Sequence, residues 1–175
     1  YALGRALGRV EVLRFPVTLD ETSRVHFARW APIAPPALQA GARALGEGRT
    51  GDPAVAAIEA SPYLGAMLRT TCVATQLRGG TAENVLAERA TAVVNCRILP
   101  QVSVAEIQAL LADAVRPEGV TVGLVAPVLA GPASPLDPAV TGPVEAVAAE
   151  LWPGIPVLPE LSPGAYQKLT VRDSG

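Results

Sequence analysis

The sequence predicts an α+β fold: a ferredoxin-like (split βαβ) two-layer arrangement lacking its first strand, with a helical insert at about 15–65, followed by a linker, a further helix and a short strand. Three observations predict it. Residues 89–98 alternate, with Ala90, Ala92, Val94, Cys96 and Ile98 on one side and Thr91, Val93, Asn95 and Arg97 on the other; a strand covered on one face needs that pattern. Residues 103–115 put Val104, Ile107, Leu111 and Val115 on one helical stripe behind a Ser103/Glu106 capping box. The order helix, helical insert, strand, strand, helix, strand becomes βαββαβ once one strand is placed ahead of Tyr1.

The elements follow in order. Leu3, Leu7, Val10 and Leu13 recur at three- and four-residue steps, which makes residues 1–14 a helix. Thr18 and Glu21 have capping-box spacing, so a second helix is expected over about 19–30. Residues 37–46 and 53–60 read as two more short helices, divided by "GEGRTGDP". "AMLRTTCVATQL", 66–77, is rich in β-branched residues and reads as a strand. After the strand at 89–98 and the helix at 103–115, "RPEG" ends the helix and 120–128 is a further strand. "LAGPASPLDP" is a linker, and 141–152 a helix striped by Val144, Val147, Ala148 and Leu151. "PGIPVLPELSPGA" reads as a short strand entering a glycine loop, and the tail "YQKLTVRDSG" shows no strong pattern. With the first strand absent, its place between 89–98 and 120–128 is expected to be a gap or to be filled by another segment. No internal repeat is visible.

Composition narrows the function. Half of the 175 residues are hydrophobic and 17% are charged, enough apolar material for a core. A net charge of −2, with no cluster of basic residues, gives no electrostatic footprint for nucleic acid or an anionic membrane. No apolar run approaches the ~20 residues that span a bilayer. Cys72 and Cys96 make no disulfide framework and are expected to be free, small hydrophobes in strands. They and one histidine lack zinc-ligand spacing.

Few residues suggest chemistry. His26, a lone histidine on a helix, reads as a packing or surface residue. No GxSxG or HExxH motif occurs. Glu160 precedes "LSPGA", which is either an anion-binding loop or an ordinary turn. Asn84 and Arg97 stand out in "GGTAENVLAERATAVVNCR". An amide that both donates and accepts, with a guanidinium fork, suits an acidic or amide-bearing small molecule. Pattern alone favours a turn residue and a solvated strand-end charge. Fully extended, the two lie up to ~43 Å apart.

"LRTTCVATQLRGGTAENVLAERATAVVNCRILP" resembles the lid, or dimerisation, domain of the zinc aminoacylase/carboxypeptidase family. That family includes glutamate carboxypeptidases, acetylornithine deacetylase, succinyl-diaminopimelate desuccinylase and carboxypeptidase S-like enzymes. "FPVTLDETSR", the "GG-x-A-x-N-V-L" turn and the "VNCRILP-x-x-S" end look most like the carboxypeptidase S-like branch. "LWPGIPVLPELSPGA" resembles the re-entry into the catalytic domain. The resemblance implies a lid/dimerisation domain over 1–129 and a fragment of an α/β catalytic domain over 130–175. It also implies a zinc-dependent metallopeptidase or amidohydrolase that cleaves a dipeptide or an N-acyl amino acid. The two zinc ions would be held by residues before Tyr1 and after Gly175, so no catalytic or metal residue is expected in this chain, which alone would be inactive. Asn84 and Arg97 match the family's substrate-binding pair, spacing included, and Gly164 matches its glycine loop. A homodimer through the lid is implied, with strand 66–77 as its edge. Ala87 stands where relatives usually carry Pro, and Tyr166 and Gln167 where they carry Thr and Asp. The alternative is a ferredoxin-like binding or assembly module without catalysis.

Overall fold

In a computed structural model, residues 1–125 and 134–160 are described in full and 166–173 as backbone. The mixed helix-and-strand expectation holds: seven α-helices accompany a four-stranded antiparallel sheet among these residues. The chain groups into two compact units, one from 1–16, 70–131 and 163–175, the other from 17–69 and 132–162. No described helix is long and apolar enough to cross a membrane.

The first unit contains the sheet. Strands β1 (Thr71–Gly79), β2 (Ala90–Arg97), β3 (Val120–Leu124) and β4 (Tyr166–Asp173) lie in the order β1-β2-β4-β3, with every pairing antiparallel. β2 buries the side its alternation predicts: Ala92, Val94, Cys96 and Ile98 are all buried. They pack with Leu3, Ala6 and Val10 of helix α1 (Ala2–Val12) and with Ile107, Leu111 and Val115 of a second covering helix (Val104–Val115). Ser103 caps that second helix, its hydroxyl accepting from the Glu106 N–H at 3.1 Å. A 3-10 turn, Arg116–Glu118, ends in Gly119 at φ 67°, a left-handed conformation that L side chains adopt only under strain.

The second unit contains α2 (Glu21–Trp30), α3 (Pro36–Gly46), α4 (Val55–Glu59) and α5 (Pro62–Ala66). Numbering continues with the covering helix of the first unit as α6 (Val104–Val115), then α7 (Pro138–Leu151) in the second. The core of the second unit is Phe27, Leu45, Val55, Ile58 and Leu68, with Ala42 and Ala44. α3 and α4 approach closely at Gly41, where a Cβ would meet the Ala54 carbonyl oxygen at 2.4 Å.

Several expectations are corrected. The cap of α2 is Asp20, not Thr18: its carboxylate accepts from the Ser23 N–H at 2.7 Å and the Ser23 hydroxyl at 2.6 Å. A carboxylate receiving two donors at the helix entrance outcompetes a threonine two residues earlier. The first strand begins at Thr71 rather than 66, because Pro62–Ala66 closes a helical turn capped by Ser61 and Met67 and Leu68 are buried. α7 starts at Pro138, its cap Asp137 accepting from the Ala139 N–H at 2.8 Å. Its predicted stripe is not buried: Val144, Val147 and Leu151 are all exposed. Residues 155–160 pair with no strand among the described residues. The patternless tail is β4, which occupies the place between β2 and β3. Residues 126–128 of the predicted third strand lie outside the described residues.

Cys72 and Cys96 are not free. They face each other in the β1–β2 register and form a disulfide, with Cα atoms 4.1 Å apart. Directly opposed antiparallel residues come this close where they do not exchange backbone hydrogen bonds.

Candidate functional site

The β1–β2 hairpin positions the residues singled out by sequence. Arg97 ends β2, pairs with Thr71 and Tyr166 in the ladder, and is exposed. Its neighbours Cys96 and Ile98 point into the core, so alternation turns its guanidinium to the side away from α1 and α6. Thr91, Val93 and Asn95 share that side. The Asn95 Oδ1 atom and the Thr70 hydroxyl are buried without a hydrogen-bond partner among the described residues.

Asn84 lies in the 80–89 turn, exposed, at the opposite end of the same hairpin. Gly79 pairs with Ala90 at the turn, and Thr71 with Arg97 at the far end. The seven steps along β2 from Ala90 to Arg97 cover roughly 23 Å at strand rise. One chain therefore does not bring Asn84 and Arg97 together around a single small ligand. Gly164 lies outside the described residues.

The other candidates resolve into structural contacts. His26 is buried, its Nδ1 2.9 Å from the Pro159 carbonyl oxygen, which makes that nitrogen the donor. Its ring packs edge-on against Phe27, with centroids 5.2 Å apart, and near Trp30. Glu160 accepts from the Tyr63 hydroxyl, and that hydrogen bond raises the Tyr63 pKa because it stabilises the protonated phenol. Among the described residues no three His, Cys, Asp or Glu side chains converge as metal ligands.

Sequence reasoning missed two features of the hairpin. One is the disulfide; Cys72 and Cys96 stand twelve residues either side of Asn84, a symmetry about the turn that matched spacing would have exposed. The other is a cavity of about 470 Å³ at the hairpin tip, bounded in part by Arg78, Glu88 and Arg89. Arginines flanking a Gly-Gly turn were its signal.

Fold and site together define an α+β module with a four-stranded antiparallel sheet, α1 and α6 packed on one side, β1 at one edge and Arg97 exposed at the end of β2. Residues 11–122 match the family model described as the M20 peptidase dimerisation domain, and the chain belongs to that family. It is thus a lid/dimerisation module of the peptidase kind, for which a homodimer is the supported assembly. No curated protein matches the chain, and no solved structure does.

Proposed function

We propose that this chain is the lid and dimerisation portion of a zinc-dependent peptidase or amidohydrolase that cleaves the amide bond of a dipeptide or an N-acyl amino acid. On this reading 1–129 form the lid, and 130–175 begin the return into the catalytic part of a longer protein. Membership of the peptidase dimerisation family supports it. The observation that carries it is the placement of Arg97: exposed, at the end of β2 on the side away from α1 and α6, on a strand whose other side is locked into the core. A guanidinium held so presents its fork to a carboxylate.

The strand order supports the ferredoxin-like plan. β1, β2 and β3 stand where the second, third and fourth strands of that plan belong, and β4 stands antiparallel in the position of its first. β1 is one of the two outer strands, with β3, and the one we assign to pairing with a second subunit; its Val73 and Leu77 are exposed. On this reading the two zinc ions are held by residues outside this chain, as the family resemblance implies. Bound there, they would polarise the scissile carbonyl and activate a water. This chain's own part is to bind and orient: Arg97 takes the substrate carboxylate, and Asn84, at the other end of the hairpin, serves a different part of the assembly. Gly164 would contribute backbone to the glycine loop. The isolated chain is inactive.

The test is to express the full-length gene, measure its zinc content and follow hydrolysis of N-acyl amino acids and dipeptides. Arg97→Ala is expected to lower kcat/KM by about ten- to a hundredfold, the worth of a charge-assisted hydrogen bond. Unchanged kinetics in a folded variant remove Arg97 from the site, and a zinc-free protein without amide hydrolysis removes the function.

A further inference from the structure

We propose that the Cys72–Cys96 bond is a redox-operated lock on the edge strand β1, closed as the disulfide and opened by a dithiol, and that the lock governs pairing through β1. The second half rests on the assignment of β1 to a second subunit. Apart from this bond, β1 is weakly held. None of its residues is buried, whereas β2 buries Ala92, Val94 and Cys96. Only Cys72 and Ala74 of β1 pack against the core shared by α1, α6 and the sheet, and both are partly exposed. β1 pairs with one neighbour, β2, and that ladder is interrupted between Ala74 and Gln76. The 81–89 connection is exposed throughout and adds no buried anchor. A strand held this way opens at small cost, because little apolar surface returns to water.

The bond changes that. Cys72 lies in the stretch 71–74, which faces 94–97 of β2. While the two Sγ atoms are joined, this stretch cannot leave β2, and opening is confined to the residues beyond the irregularity. Once the bond is broken, two small apolar thiols fit the same side, so the strands still pair, but β1 is free to open as a unit. An open β1 offers a partner strand no fixed row of N–H and C=O groups. Access puts the exchange at Cys72, which is half-buried where Cys96 is wholly buried. A thiolate of the dithiol attacks the Cys72 Sγ, the S–S bond breaks, and Cys96 leaves as a thiolate that takes up a proton. The second thiol then attacks the reductant's own sulfur in the mixed disulfide, and Cys72 leaves in turn. Both electrons come from the dithiol, which departs as a cyclic disulfide, its two protons ending on the cysteines.

The test is amide hydrogen exchange, with sedimentation, on the chain with and without dithiothreitol. The dithiol is expected to raise exchange at 71–74 by about tenfold or more beyond any rise in α6, and to move the sedimentation profile toward monomer. Oxidised glutathione should restore both. Cys72→Ala/Cys96→Ala should match the reduced chain and ignore the reductant; if that pair of substitutions unfolds the protein, the parent with and without dithiothreitol decides alone. The lock is overturned if 71–74 and α6 change in parallel, as a general loss of stability would make them, or if reduction leaves 71–74 unchanged. A dimer that survives with β1 released overturns the coupling between the two. A chain that is monomeric in both states overturns the assignment of β1 to a second subunit, and exchange at 71–74 then still decides the lock.

Discussion

Glu118 joins the turn after α6 to helix α1. Its carboxylate accepts from the Arg5 Nε at 2.5 Å and from the Arg9 Nε at 2.7 Å. These two hydrogen bonds, reinforced by the charges, lower its pKa below the ordinary carboxylate value. Folding thus favours the ionised form, and the stabilisation is complete above the unfolded carboxylate pKa and is lost as pH falls through the lowered folded value. Glu118→Gln is therefore expected to unfold at lower urea concentration than the parent at neutral pH. The gap should shrink as the buffer is taken below the ordinary carboxylate range, and a gap independent of pH would show that the ion pair contributes nothing. The disulfide is the other residue-scale feature. Cys72 and Cys96 close a loop with a sequence separation of 24, a constraint worth about 3 kcal/mol through the unfolded chain. Thiol reduction of the parent and the Cys72→Ala/Cys96→Ala pair should both lower stability by that order in denaturant titrations, and equal midpoints with and without reductant would contradict the cross-link.

At the scale of elements, α2 and α6 show how caps fix boundaries. Asp20 ties the first turn of α2 through the Ser23 N–H and hydroxyl, so Asp20→Ala should cost about 1 kcal/mol by calorimetry or urea titration. α6 depends on its buried stripe. Leu111 is wholly buried in the core shared by α1, α6 and the sheet, and Leu111→Ala should cost about 2–5 kcal/mol, several times the cap, because it removes contact and leaves a cavity. Reversal of that ranking would mean that the sheet is not packed by α6. α7 is the contrasting case. Its capping is sound, yet none of its described residues is buried, and Val144, Val147 and Leu151 of its apolar stripe stay more than half exposed.

At the scale of the molecule, β4 decides whether the sheet is continuous. It bonds β2 on one side and β3 on the other. Removing residues 166–175 should leave two unpaired strand edges in the middle of the first unit. The truncated chain is expected to lose cooperative unfolding or to aggregate; retention of the parent's unfolding transition would show that β4 is dispensable. At the other edge, a homodimer through β1 predicts that Val73→Lys shifts the sedimentation profile toward monomer without loss of helix content.

What the sequence determined by itself is what local periodicity and caps encode. The inward side of β2 was legible because Ala, Val and Cys alternate with Thr, Asn and Arg. α1 and α6 were legible from apolar steps of three and four, and the outward placement of Arg97 followed from strand geometry. The family resemblance, too, was carried by contiguous motifs. Tertiary structure decided everything that depends on which strands meet. β4 has no pattern of its own, since a strand flanked on both sides gains its order from the ladders it completes. The Cys72–Cys96 bond and the charged cavity between Arg78 and Glu88–Arg89 exist because hairpin register sets distant positions opposite each other, the same register that parts Asn84 from Arg97. Spacing along a chain fixes which side a residue faces; only pairing between strands fixes what it faces.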